Sequence, residues 1–255
     1  MFDLGRRAMK VAIAGAGGRM GRTLIEAVGT EPELSLVALL DVTGIGAEIG
    51  GLKVSDDVAS IGRADVLIDF TRPDGTLAHL KHAKAAVIGT TGFDSKERTR
   101  IAAVSKRIPV VLSPNFAVGV NVVFKLAELA AQTLGEGYDV EILEAHHRHK
   151  VDAPSGTALK LGEVIASVWK KKDYAFGRQG DTGERPVKQI GFHAVRGGDI
   201  VGEHTVMFAG QGERVEVTVR SQSRMTYALG AVRAAKWLKG KPAGLYDMFD
   251  VLGLR

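Results

Sequence analysis

Between positions 144 and 157 the chain reads Glu144-Ala145-His146-His147-Arg148-His149-Lys150-Val151-Asp152-Ala153-Pro154-Ser155-Gly156-Thr157, placing three imidazoles and two permanent cations in five consecutive positions. An imidazole gains or loses a proton near neutral pH, and Lys and Arg hold carboxylates. An exposed basic loop and a metal site are competing readings. Arg148 and Lys150 would repel a cation, so no metal is expected. The chemistry that fits is a site for a multiply negative substrate. Pro154 and Ser155 predict a helix start, with Ser155 as N-cap and Leu161, Ile165, Val168 and Trp169 as the apolar stripe. A carboxylate then suits the first-turn amides of Gly156 and Thr157, where the helix dipole is positive. Lys150 can take a second carboxylate and a nearby histidine can donate a proton.

A second constellation lies near the start of the chain. The aliphatic run Val11 to Ala14 enters Gly15-Ala16-Gly17-Gly18-Arg19-Met20-Gly21, and a helical pattern follows from Arg22. Strand, glycine turn and helix in that order form the context of a dinucleotide fingerprint. Met20 stands where G-x-G-x-x-G has its last glycine, so the fit is to G-x-x-G-x-x-G through Gly15, Gly18 and Gly21. The next strand ends at Asp41, about 20 residues past the turn, where a carboxylate can accept hydrogen bonds from a ribose. Gly89-Thr90-Thr91-Gly92 and Ser113-Pro114-Asn115-Phe116 follow later strands, at positions suited to the nicotinamide half of a cofactor, although each alone could be an ordinary turn.

The elements that must position these residues are of two kinds. Runs at Val11 to Ala14, Leu36 to Leu40, Val66 to Phe70, Ala86 to Ile88 and Val110 to Leu112 alternate with helical patterns, which predicts a Rossmann-like, doubly wound parallel sheet. After Asn115 come a helix at about 121–134, a strand at 140–143, the polar segment above and another helix. Three alternating segments follow, near 187–195, 200–208 and 214–220, and predict a second α+β domain with a mostly antiparallel sheet. A last helix, Tyr227 to Leu238, aligns Ala228, Ala231, Val232, Ala235 and Leu238 and is expected to return to the first domain. The domains are therefore 1–117 with 226–255, for dinucleotide binding, and 118–225, for substrate binding and oligomerisation.

Composition limits what such a chain can do. Its 255 residues include no cysteine, which excludes disulfides and thiolate chemistry and fits a cytoplasmic location. Met1 to Met9 reads as a short charged leader, and no later run is long and apolar enough to span a membrane. The formal charge of +5 raises nucleic acid as a partner. The densest basic clusters, His146 to Lys150 and Lys170 to Lys172, lack interleaved aromatics, so an anionic small molecule is expected instead.

Taken in order, the Gly15 to Gly21 turn, Asp69-Phe70-Thr71-Arg72-Pro73, Gly89 to Gly92, Asn115-Phe116, Glu144 to Thr157 and Arg196-Gly197-Gly198-Asp199-Ile200-Val201-Gly202-Glu203-His204 resemble the 4-hydroxy-tetrahydrodipicolinate reductase family over nearly the whole chain. The resemblance implies NAD(P)H-dependent reduction of that cyclic dicarboxylate to tetrahydrodipicolinate, by way of dihydrodipicolinate, in lysine and diaminopimelate biosynthesis by a homotetramer. It implies His146 and Lys150 as proton donors, and His147, Gly156 and Thr157 as substrate-binding residues. Cofactor contacts would come from Gly15, Ala16, Gly17, Gly18, Arg19, Met20, Asp41, Gly89, Thr90, Thr91, Ser113, Pro114, Asn115 and Phe116. Some relatives carry an arginine after the ribose acid; Val42 stands here, so NADH is expected to serve at least as well as NADPH. Alternatives are another two-domain Rossmann dehydrogenase of amino-acid metabolism, such as a homoserine dehydrogenase relative, and a non-catalytic NAD(H) sensor.

Overall fold

The early strands are short and mostly apolar because both of their faces are covered. In the first of them Val11 and Ile13 enter one apolar cluster, with Leu24 and Ala231, while Ala12 and Ala14 enter another with Leu40 and Ile61. Two-sided burial of this kind is the condition of a parallel sheet flanked by helices. The structure, a computed structural model, describes residues 7–170 and 173–255. Most of the leader read at Met1 to Met9, and two of the three lysines at 170–172, lie outside the described residues.

In chain order the elements are β1 (Met9–Ala14), α1 (Arg19–Gly29), β2 (Leu34–Leu40), β3 (Glu48–Ile49), β4 (Leu52–Ser55), β5 (Val66–Asp69), α2 (Pro73–His79), β6 (Ala86–Ile88), α3 (Ser95–Ser105), β7 (Pro109–Leu112) and α4 (Val118–Leu134). There follow β8 (Asp139–His146), α5 (Gly156–Trp169), β9 (Tyr174–Phe176), β10 (Ile190–Arg196), β11 (Gly202–Ala209), β12 (Arg214–Ser221), α6 (Met225–Trp237), β13 (Gly244–Tyr246) and α7 (Met248–Leu252). None of the helices among the described residues is long and apolar enough to cross a membrane.

Two compact units result, one ending at Val118 and resuming with Arg224–Arg255, the other Gly119–Ser223. The first holds a sheet in the order β13-β7-β6-β5-β1-β2-β4-β3, parallel throughout except for the β3/β4 hairpin. Strand order reverses at β1, which lies between β2 and β5, so a crevice opens at its carboxyl end. Helix α6 belongs to this unit, and its Ala228, Ala231, Val232 and Ala235 join the core beside α1.

The second unit has the order β12-β11-β8-β10-β9. Antiparallel ladders join β12, β11 and β8, and parallel ladders join β8, β10 and β9. Antiparallel pairing is the more extensive in sum, but β10 and β11 are not neighbours, as three consecutive antiparallel segments would have been. The physical reason is the α5 crossover, which returns the chain parallel to β8 and leaves β8 between them. One face of this sheet carries Val140, Ile142, Phe192, Val206 and Phe208, all buried; α5 approaches closely enough that a Cβ on its Gly162 would lie 2.4 Å from the Phe192 ring. The other face carries Leu143 and Val195, 42% and 58% exposed.

Candidate active site

In the first unit, the glycine turn forms at the carboxyl end of β1. Gly15 and Ala16 donate their amides to Leu40 O, Gly18 N donates to Gly15 O, and Gly15 has φ +85°, where an L side chain is strained. Helix α1 begins at Arg19 with Gly18 as N-cap, so Arg19 and Met20 are helical residues and not part of the loop as the sequence suggested. The early start brings Gly21 against the turn: a Cβ there would lie 2.0 Å from Gly15 O. The first-turn amides of α1 thus carry the helix's positive end toward the crevice.

Asp41, just beyond β2, locks this turn. Its Oδ2 accepts from Gly17 N at 2.9 Å, and its Oδ1 accepts from the Thr43 amide and hydroxyl, each at 3.0 Å. Partial burial pushes the carboxyl pKa upward, but the hydrogen bonds from Thr43 and Gly17 outweigh it and the net shift is downward. The carboxylate therefore already holds the turn with three of its four lone-pair sites, and the one that remains is what a ribose could use. Asp41 lines a cavity of about 600 Å³ together with Gly17, Asp56, Arg72 and Asp74. Arg19 lines an adjoining cavity of about 350 Å³ with Gly18, Met20, Arg224 and Tyr227, and the two cavities share Gly15, Gly18 and Phe70.

The other expected cofactor residues divide by what their side chains already do. A Cβ on Gly89 would meet the Phe70 ring at 2.1 Å, so that position is glycine for packing. The Thr90 hydroxyl is buried and donates to Asp69, whereas Thr91 is exposed. Ser113 Oγ donates to Asn115 O, and Asn115 Oδ1 accepts from Ala117 N. The Phe116 ring is 1% exposed and packs 5.7 Å from the Phe70 ring, so its side chain is core. Sequence reasoning missed why this region holds its shape. Asp69 is fully buried, with Oδ1 accepting from the hydroxyls of Thr71, Thr76 and Thr90 and from Thr71 N, while His79 Nδ1 lies 2.8 Å from Oδ2. Only the Asp-Phe-Thr motif signalled it.

In the second unit, His146 is the last residue of β8, and its neighbours come from three other segments. Its Nδ1 lies 2.6 Å from Glu144 Oε2. Arg196 at the end of β10 donates Nη1 to Glu144 Oε2 at 2.8 Å and Nη2 to Oε1 at 2.7 Å, and Ser155 N donates to the same Oε1. Burial pushes the Glu144 pKa up, and the Arg196 and His146 partners more than reverse it. For His146 burial is the largest influence and lowers the pKa, with Glu144 opposing and Lys150 and Arg196 adding to the fall.

Ser155 caps α5 as the sequence predicts, its Oγ accepting from Ala158 N at 3.2 Å. The same hydroxyl lies 2.9 Å from Nε2 of His204 on β11, whose ring meets that of His146 edge-on at 5.1 Å. His204 is buried, and mainly for that reason its pKa falls to about 4. Lys150 is paired with Asp152 at 2.8 Å. His147 keeps a buried Nδ1 without a hydrogen-bond partner, while His149 is exposed. Gly156 and Thr157 occupy the first turn of α5, and Val168 of the expected stripe is only half-buried. Glu144, Arg196 and His204 had no assigned part at the level of sequence. The unit thus assembles an imidazole, a cationic loop and a helix N-terminus, which together can hold an anion and pass a proton.

Comparison with known proteins gives matches to both halves. The model described as "Dihydrodipicolinate reductase, N-terminus" matches residues 9–116, and "Dihydrodipicolinate reductase, C-terminus" matches residues 119–252. The 4-hydroxy-tetrahydrodipicolinate reductase of Paraburkholderia phymatum is 56% identical, with 97% of this chain and 100% of the relative covered. That of Aromatoleum aromaticum is 55% identical, covering 97% and 96%. Among solved structures, dipicolinate-bound dihydrodipicolinate reductase from Paenisporosarcina sp. TG-14 aligns with TM-score 0.79 and 26% identity over 95% of this chain and 98% of the other. Aspartate dehydrogenase from Thermotoga maritima, at TM-score 0.52 and 14% identity over 92% and 99%, shares the fold.

Proposed function

Because this chain belongs to the dihydrodipicolinate reductase family, which both halves match, we propose that it reduces 4-hydroxy-tetrahydrodipicolinate to tetrahydrodipicolinate in lysine and diaminopimelate biosynthesis, in the cytoplasm and as a homotetramer. The observation that carries the reading is the second unit's constellation. His146 stands beside the Ser155-capped N-terminus of α5 and a loop bearing Lys150, which is how a dicarboxylate is held while a proton is delivered. The dipicolinate bound by the Paenisporosarcina relative is a flat dicarboxylate, in keeping with such a site.

The first unit fits a dinucleotide. A Cβ on Gly17 would stand 3.2 Å from Asp41 Oδ2, and one on Gly21 would collide with the turn, so the backbone alone forms the cradle. Gly15 to Met20 would hold the pyrophosphate and Asp41 the ribose, with Gly89 to Thr91 and Ser113 to Phe116 near the nicotinamide. Bound NADH or NADPH supplies a hydride to the substrate. The protein's own part is to hold one carboxylate at the Gly156 and Thr157 amides and the other at Lys150, which shares its charge with Asp152. His147 grips the ring, and His146 gives its Nε2 proton to the carbon next to the one reduced. NADH serves at least as well as NADPH, because Asp41 disfavours a 2′-phosphate. The exposed Leu143 and Val195 favour association through the open sheet face, which the mass of the full chain in solution checks.

The deciding assay follows oxidation of NADH and NADPH by the full chain with freshly prepared 4-hydroxy-tetrahydrodipicolinate. Turnover with either cofactor is expected. Cofactor binding without turnover would instead support a sensor, and oxidation only with another amino-acid precursor would support the dehydrogenase alternative.

A further inference from the structure

Glu144 is 3% exposed and accepts four hydrogen bonds: two from Arg196, one from Ser155 N and one from His146 Nδ1. Four is the full lone-pair capacity of a carboxylate, so the group has no site left for solvent or substrate. Its partners come from the end of β8, the entry to α5 and the end of β10. Arg196 carries the connection onward, donating Nη2 to Asp152 O at 2.6 Å in the loop between Lys150 and Ser155.

A carboxylate has no proton to give, so the His146–Glu144 contact requires the proton on Nδ1. In neutral His146 that leaves Nε2 bare, and it fixes Nε2 as the atom that takes up and releases the working proton. We propose that Glu144, clamped by Arg196, is a positioning residue that fixes the tautomer and ring orientation of His146 and ties the proton donor to the anion-holding turn at Ser155. This rests on the reading of His146 as the proton donor. The charged and titratable groups facing His146 are Glu144 on its own strand, Lys150 in the following loop, itself paired with Asp152, Arg196 on β10 and His204 on β11. Glu144 favours the imidazolium, whereas Arg196 and Lys150 oppose it. His204, with its pKa of about 4, is neutral at working pH and adds no charge.

The two members of the clamp should therefore act in opposite directions. The experiment records 15N spectra of the histidine-labelled full chain, with the His146 signals assigned by their loss in His146→Gln, together with the pH profile of kcat/KM. Wild-type His146 should be the Nδ1–H tautomer in its neutral form. Glu144→Gln, which can donate as well as accept and carries no charge, should weaken that preference and move both the His146 titration and the basic limb of the profile to lower pH, by about one unit or more. Arg196→Gln should move both to higher pH. An Nε2–H tautomer in the wild type, or displacement of the titration in the same direction by both variants, overturns the proposal. The wild-type spectrum and Arg196→Gln decide the matter even if Glu144→Gln does not fold. If wild-type turnover is absent altogether, it is the reductase reading that fails, and the spectra still judge the clamp.

Discussion

The cofactor preference can be inverted at one exposed position. Val42 is 87% exposed, follows Asp41 directly and borders the same cavity, so Val42→Arg adds a cation without disturbing the core. In the native chain Asp41, Asp56 and Asp74 line that cavity against Arg72, so negative charge predominates. At about 5 Å, and for an effective dielectric between 20 and 80, each unit charge on a 2′-phosphate meets roughly 1–3 kcal/mol of repulsion from one carboxylate. Solvent access favours the lower end. An arginine–phosphate pair returns about 1.5–3 kcal/mol, again reduced by exposure, and the expected net effect is about a tenfold rise in the NADPH/NADH ratio of kcat/KM. The measurement is steady-state kinetics with both cofactors at two salt concentrations, since an exposed charge effect must shrink as salt rises. A wild-type efficiency tenfold higher with NADPH, or an unchanged ratio in Val42→Arg, would refute the electrostatic reasoning.

His146→Gln should lower turnover by about two orders of magnitude while NADH affinity, followed by fluorescence, stays nearly intact, and the exposed His149→Gln should do much less. Pyridine-2,6-dicarboxylate should inhibit competitively, and Lys150→Ala should raise its inhibition constant by roughly tenfold, the low end for a lost charge-assisted contact because Lys150 is already paired with Asp152. Gly21→Ala, whose Cβ would meet rigid backbone at 2.0 Å, should lower stability by about 2 kcal/mol or more in thermal melts, whereas Gly29→Ala, with open space around it, should raise stability by roughly 0.5–1 kcal/mol. His204 titrates near 4 in the fold and near 6.5 when unfolded, so the unfolded chain binds the extra proton between those values and stability falls as pH drops through that window, by up to about 3 kcal/mol. Denaturant titrations at pH 7 and pH 5 should show this loss in the wild type and a smaller one in His204→Asn.

What the sequence revealed and what it concealed follow the range of the interactions. The glycine turn, its strand and Ser155 as a cap are local: a few consecutive residues determine φ, a capping oxygen and an apolar stripe, so each could be read in place. The start of α1 at Arg19 was hidden because glycines look like loop until Gly21 is seen packed on Gly15 O. The side chains of Phe116 and Thr90 have structural tasks that no local pattern announces, since one ring fills the core and one hydroxyl serves buried Asp69, which leaves their backbone to face a cofactor. The histidine site shows the limit most clearly. His204 faces Glu144 across β11 and β8, while Arg196 lies opposite His146 across β10 and β8, so β8 collects partners from both sides. Read along the chain, β10 and β11 suggest a hairpin, and a hairpin would pair Arg196 and His204 with each other's strands instead of with β8. Only the α5 crossover opens the gap that β8 fills. The clamp on His146 is therefore a property of strand order, and the residues 144 to 150, however suggestive as a string, contain the proton donor without the arginine that fixes its carboxylate.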